Sequence, residues 1–257
     1  MPDIDRLLAL AKNTARQAFD ALSAVDVEST NAQFSVDMPK ELKSTADYKV
    51  EKIIIDCLSV TDLPILSEET GLLPGDNKSS LQWIIDPLDG TVNFTRGIGS
   101  CAVSIALWQA NTPIFGVLCE YPTGHLAWGG PAIGSFIDHV PINVSAIREK
   151  NTAILCTGFP SRYNFNDETK TAFWAILGDY AKVRMLGAAS ISLLQVARGT
   201  ADTYFEDQIM FWDVAAGLAI VQGAGGKFLI DRISATEPCR VIAANPMLCK
   251  MPLKAGM

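Results

Sequence analysis

The sequence predicts an α+β fold, layered and built from two joined parts, on three observations. Apolar residues recur at helical spacing in the first sixty positions. Short apolar runs with polar or glycine-containing breaks fill 81–137, and strand-like and helix-like segments alternate after about Asn143. The division is placed at 143/144, giving an N-terminal α+β part (1–143) and a C-terminal α/β part (144–257). With 257 residues, 49% apolar and 19% charged, the chain can bury a large core and is not a disordered tract.

Residues 4–22 place Ile4, Leu7, Leu8, Ala11, Ala15, Ala18, Phe19 and Leu22 on one helical face, and 46–60 repeats the pattern with Val50, Ile53, Ile54, Cys57 and Leu58. A polar connection containing Pro39 joins them. LQWIID (81–86) is a predicted strand stopped by Pro87. SCAVSIALW (100–108), PIFGVLCEY (113–121), HLAWGG (125–130) and AIGSFI (132–137) follow as a meander, so this part reads as two helices laid on an antiparallel sheet. Beyond it, strands are expected at 153–158, 182–186, 201–205, 226–230 and 240–245. Helices are expected near 167–180 and over 189–199 and 212–225. That alternation predicts a partly parallel second sheet.

Composition excludes several functions. A net charge of −7 argues against gripping a nucleic-acid polymer, which needs many Lys and Arg, but leaves a small phosphate possible where a metal ion inverts the local field. The six cysteines (57, 101, 119, 156, 239, 249) form no CxxC pair and read mostly as small core residues. The start, MPDIDRLLAL, carries acids where a secretory leader carries positive charge, and no 18-residue uncharged apolar stretch occurs. A cytoplasmic protein without membrane spans is expected.

The most informative segment is WIIDPLDGTVNF (83–94). Asp86, Asp89 and the Leu88 carbonyl can converge on one side of such a turn, with Gly90 permitting close backbone approach and Thr91 adding a hydroxyl. Oxygen ligands so spaced suit Mg2+, although an Asp-rich surface turn has the same spelling. Glu68-Glu69 in LPILSEETG is a second acidic pair, or a solvated pair at a strand end. Asp213, before an apolar helix and beside Phe211 and Trp212, and Asp47 in STADYKVEK are cap candidates by position. Only His125 and His139 are present, and neither neighbours a serine nucleophile signature.

Together these segments resemble the inositol monophosphatase family, the magnesium-dependent, lithium-sensitive phosphatases. WIIDPLDGTVNF is similar to the family's aspartate motif, WDVAAGLAIVQGAGG to its C-terminal motif, SEETG to its acidic motif and ADYKVEK to its upstream helix; the match spans roughly 5–250 in order. The resemblance implies a layered αβαβα sandwich of the inositol monophosphatase/fructose-1,6-bisphosphatase type, two or three Mg2+ ions per active site, inhibition by Li+ and a homodimer. In that scheme Glu68, Asp86 and the Leu88 carbonyl hold a first magnesium, Asp86, Asp89 and Asp213 a second, and Glu68 helps hold a weaker third. Asp47, Glu68 and Thr91 are the implied catalytic group, Asp47 and Thr91 orienting and deprotonating the attacking water. Asp89, Gly90, Thr91, Gly187, Ala188, Glu206 and Asp213 line the implied substrate site, with Glu206 bonding substrate hydroxyls.

The implied substrate is a small phosphate monoester, with inositol 1-phosphate the reference. The family's 3′(2′),5′-bisphosphate nucleotidases usually end the aspartate motif in Lys-Glu-Phe, whereas this chain has Val92-Asn93-Phe94. Histidinol phosphatases and fructose-1,6-bisphosphatases are further family activities, and a noncatalytic partner protein is the rival of another class. Three departures touch substrate identity: MPKELKSTAD lacks a Pro-Val-Thr run, leaving Lys40 and Lys43 as candidate contacts. Met210 stands where inositol-phosphate enzymes carry histidine, and TRGIGS (95–100) lacks theirs. The apolar meander at 100–137 is either a dimer interface or sheet core.

Overall fold

The computed structural model describes residues 3–25, 33–34, 42–76, 79–161, 163–232, 234 and 236–250; Lys40 lies outside them, as does the side chain of Lys43. Helix α1 (Ile4–Ser23) starts where Asp3 accepts the Arg6 backbone N–H at 3.2 Å, satisfying an otherwise orphaned donor. A short antiparallel pair, β1 (Gln33–Phe34) and β2 (Leu42–Lys43), precedes helix α2 (Thr45–Leu58).

An eight-stranded sheet follows: β3 (Ile65–Ser67), β4 (Gly71–Leu73), β5 (Leu81–Asp89), β6 (Cys101–Gln109), β7 (Thr112–Tyr121), β8 (Leu126–Gly130), β9 (Gly134–Ile137) and β10 (Val140–Pro141), with a short helix α3 (Thr91–Thr95) after β5. Its order is β10-β9-β8-β7-β6-β5-β3-β4. Successive side chains of a strand point to opposite faces. Trp83, Ile85, Val103, Ile105, Phe115 and Val117 therefore pack with α1 and α2. Ile84, Ala106, Trp108 and Leu118 face the other way, into the larger core. Burial on both faces is why these strands read as continuous apolar runs.

A second sheet uses β11 (Ile154–Thr157), β12 (Lys182–Arg184), β13 (Thr203–Ile209), β14 (Lys227–Asp231) and β15 (Cys239–Ala244), ordered β12-β11-β13-β15-β14. Helices α5 (Ala189–Ala197) and α6 (Phe211–Gly223) lie between the sheets, buried nearly all round. The Trp108 indole N–H donates to Ala215 O at 3.2 Å and the Ser135 hydroxyl to Ile220 O at 2.6 Å, pinning α6 to the first sheet. Helix α4 (Asp167–Gly178) packs Ile176 and Leu177 on the outer face of the second sheet, over Leu155, Phe205 and Ile242. The layers are thus αβαβα, as expected.

Two expectations about the first sheet are corrected. Pro87 does not stop β5: the strand runs on to Asp89, and the proline sits where the pairing with β6 shifts register between Asp86 and Asp89. A bulge is one of the places where a ladder tolerates a residue lacking an N–H. The first sheet is not wholly antiparallel, because β3 runs parallel to β5 and β4 returns beside it at the edge. Of the two readings left open for the 100–137 meander, much of it fills the chain's own core, with Val103, Ile105, Leu107, Phe115 and Val117 fully buried. The second sheet is mixed, with β11 parallel to β12 and β13, and β15 antiparallel to β13 and β14.

Candidate active site

The end of β5 carries Asp86 and Asp89 toward the place where α5 and α6 begin, and the turn after β3 brings Glu68 beside them. A cavity of about 380 Å³ opens there, lined by Glu68, Asp86, Leu88, Asp89, Gly90, Thr91, Gly187, Ala188, Glu206 and Asp213, with Val92, Asn93, Gly158–Ser161, Ala189, Ile209, Met210 and Trp212. Of the acids and turn residues that the resemblance assigns to this site, all described, Asp47 alone does not line it. Asp47 lies behind Thr91, whose hydroxyl donates to Asp47 Oδ1 at 2.8 Å and lies 3.2 Å from Leu88 O.

Each acid is fixed by its element. Asp47 is the third residue of α2, not its cap. Ser44 is the cap, and Asp47 Oδ2 accepts the Ser44 backbone N–H at 3.0 Å and the Ser44 hydroxyl. Asp213 likewise occupies the third position of α6 and accepts the Met210 backbone N–H at 3.2 Å. Asp86 Oδ1 accepts the Leu88 N–H at 2.9 Å. Asp89 reaches across to α5, which has no side-chain cap of its own, and accepts the Ser190 N–H at 2.6 Å and the Ser190 hydroxyl. Gly90 turns the chain at φ +93°, and a Cβ there would sit 2.9 Å from Cys101 Cβ and 3.1 Å from Ala188 Cβ. Only glycine fits that bend.

One carboxylate oxygen each from Glu68, Asp86 and Asp213 lies within 4.8 Å of the other two. Burial, then the charges of Asp213 and Glu69, pushes the Glu68 carboxyl well above its ordinary range. Burial, then Glu68, Asp89 and Asp213, does the same to Asp86. Burial raises Asp89 to about 6 against the pull of the Ser190 bonds, and burial with the Asp89 charge raises Glu206 to about 8. Burial also raises Asp47, partly offset by the hydrogen bonds from Ser44 and Thr91. So many acids drawn together, with no Lys or Arg among the described residues lining the cavity, are costly.

A hard divalent cation fits. Asp86 Oδ2 is buried with no hydrogen-bond partner among the described residues, the donors are all oxygen, and their separations, none above 4.8 Å, are short enough for the three to share one cation.

Several supporting residues are not among those the sequence singles out. Glu51, on the same helix as Asp47, is buried and accepts from the Ser67 hydroxyl, from Thr70 N–H at 2.9 Å and from the Thr70 hydroxyl at 2.7 Å. It therefore grips the chain on both sides of Glu68-Glu69. Its spacing of four from Asp47 is a legible signal, since i and i+4 share a helix face. Asn93 donates to Ser100 O at 2.9 Å and Leu186 O at 2.7 Å, tying two cavity walls together. Ser190 and Phe159 carry no local signal, because only the tertiary fold brings them here.

The site's geometry agrees with what the chain resembles among known proteins. The model of the inositol monophosphatase family matches residues 3–248. An inositol-1-monophosphatase from Mesorhizobium japonicum is 34% identical over 97% of this chain and 95% of its own length. A Nus factor SuhB from Pasteurella multocida is 36% identical over 74% of each chain. The crystal structure of extragenic suppressor protein suhB from Bartonella henselae superimposes with a TM-score of 0.83 at 28% identity, covering 95% of both chains. A match running the length of the chain, centred on acids that converge in space, leads to one conclusion: the chain belongs to the inositol monophosphatase family.

Proposed function

We propose that this chain is a magnesium-dependent phosphomonoesterase whose preferred substrate is inositol 1-phosphate. The observation that carries the reading is the convergence of Glu68, Asp86 and Asp213 around an unpartnered buried oxygen, beside the Gly90-Thr91 turn. Glu68, Asp86, Asp89, Asp213 and the Leu88 carbonyl would hold two or three Mg2+ ions, which when bound neutralise phosphate charge and acidify a water. Asp47 and Thr91 form a proton path: the Thr91 hydroxyl donates to Asp47 and keeps lone pairs to accept from a water in the cavity. Burial raises the proton affinity of Asp47, which suits a base. Gly90 leaves room for a phosphoryl group, and Gly187 and Ala188 form the opposite wall. Glu206 lines the same cavity without being one of the three clustered acids, and serves as a partner for substrate hydroxyls.

The reading extends to inhibition by Li+, a homodimer of the 27.7 kDa chain and a cytoplasmic location. It is tested by phosphate release with and without Mg2+ from inositol 1-phosphate, a nucleoside 3′,5′-bisphosphate, fructose 1,6-bisphosphate and an aryl phosphate. Inositol 1-phosphate should give the highest kcat/KM and none should react in EDTA. Preference for the bisphosphate nucleotide would replace the substrate assignment; no release from any would end the phosphatase reading. Glu206→Gln should lower kcat/KM at least about ten-fold on inositol 1-phosphate and far less on the aryl phosphate, because a hydroxyl partner is lost.

A further inference from the structure

The wall of the cavity away from the carboxylate triad is built differently from the metal side. Phe159 lines it yet remains 44% exposed, an unusual placement for a phenyl ring in a polar pocket. The ring is braced: its centroid lies 4.5 Å from that of Phe173, 4.9 Å from Phe165 and 5.4 Å from Tyr163. Tyr163 and Phe173 are buried, so the cluster has its own small core and holds Phe159 in place.

The residue before it, Gly158, runs so close to Glu206 that a Cβ there would stand 2.7 Å from Glu206 Oε1. One short segment thus sets an apolar plate next to a buried carboxyl group. A ligand satisfying both needs a flat face of C–H groups and a hydroxyl on its edge. Cyclic polyols have that shape, and open-chain polyols lack the face.

We propose that Phe159 is a specificity-determining residue, a plate on which the ring of a cyclic, hydroxylated leaving group lies while its hydroxyl bonds Glu206. The inference rests on the reading of the chain as a phosphomonoesterase and adds the shape of the alcohol. Removing the water-exposed apolar face of Phe159 from contact with the ring favours binding of the ring over any open-chain alcohol of similar polarity. The advantage is present as soon as the substrate binds, so it falls on KM more than on kcat.

The test compares kcat/KM for inositol 1-phosphate and glycerol 2-phosphate in the full chain with Mg2+, for wild type, Phe159→Ala and Phe159→Leu. Leucine keeps apolar bulk against Tyr163 and Phe173 but removes the flat plate, so the comparison survives if alanine loosens the cluster. Both variants should lose about ten-fold more on inositol 1-phosphate than on glycerol 2-phosphate, mainly through KM. Equal losses on the two substrates would overturn the plate and make Phe159 a packing residue. A fall in molecular mass by light scattering in both variants, with equal losses, would overturn it in favour of a ring that meets a second copy of the chain. A wild type that releases no phosphate from either compound removes the phosphatase reading itself, which the first two outcomes leave standing.

Discussion

Asp86→Asn separates the cost of the carboxylate cluster from its use. One Asp86 oxygen lies within 4.8 Å of an oxygen of Glu68 and of Asp213. At an effective dielectric of about 20, each unit-charge pair at that distance repels by roughly 3.5 kcal/mol. The protein relieves part of this by retaining protons on the cluster, so a gain of about 1–3 kcal/mol is expected when one charge is removed in the absence of metal. Asparagine keeps the Oδ1 acceptor for the Leu88 N–H and places an amide donor where Oδ2 now lacks a partner. At about 2–4 °C per kcal/mol, Tm in EDTA at pH 8 should rise by roughly 2–12 °C. Phosphate release should fall by about 10³-fold or more, in the range seen when electrostatic stabilisation of a transition state is removed. Mg2+ should raise the wild-type Tm and barely move that of the variant. Calorimetry and a phosphate assay on the same preparations decide it. A variant less stable than wild type in EDTA would refute the mutual repulsion, and near-normal turnover would refute the place of Asp86 in the machinery.

Two further outcomes follow from the same acids and their supports. Glu206 at about 8 holds a proton in the folded, metal-free chain at neutral pH, and Asp89 at about 6 does so in mild acid; each releases it on unfolding there. Their contribution to stability is therefore fully present below about pH 4 and lost as pH rises toward 8. Tm in EDTA should drop between pH 6 and 8.5 by on the order of 5 °C, and Mg2+ should flatten the slope; a flat profile in EDTA contradicts the burial of these acids. Glu51→Gln weakens charge-assisted bonds of about 1.5–3 kcal/mol each around the Glu68 turn, so the Mg2+ dissociation constant by titration calorimetry should rise roughly five- to ten-fold, with kcat at saturating Mg2+ within about three-fold of wild type. An unchanged affinity would leave Glu51 a role in folding alone.

What could be read from the sequence was whatever has a local cause. Helical periodicity gave α1 and α2 to within a residue or two, because one apolar stripe per helix meets one sheet face. The strands of the meander were equally plain. The passage of β5 through Pro87 was not legible, since a proline ends a regular strand and only the register shift opposite β6 admits it. Nor was the parallel pairing of β3 with β5, which depends on a chain path that no short window contains. At the site, the spacing of Asp86, Leu88 and Asp89 within one turn was visible. The contact of Asp89 with Ser190, 101 residues away, and the position of Phe159 behind a glycine pressed on Glu206 were not.

A carboxylate committed to a helix terminus and a carboxylate facing a cation look like competing assignments, and the geometry removes the competition. Each oxygen pair offers about four lone-pair positions, and one backbone N–H uses only one of them. Asp47 takes the N–H of Ser44, Asp213 that of Met210, Asp86 that of Leu88 and Asp89 that of Ser190. Each of the four aspartates is therefore held by a main-chain bond that exists with no ion present, and its remaining lone pairs point where the fold directs them. The rotamer entropy that a flexible acid would lose on meeting a ligand is lost at folding instead. Glu68 has a longer side chain on a turn, and there the work passes to Glu51, which fixes the chain at Ser67 and Thr70 on either side. The site thus divides into acids anchored by their own backbone bond and one acid anchored by a neighbour, which is why a conservative change at Glu51 should register in metal affinity before it registers in the fold.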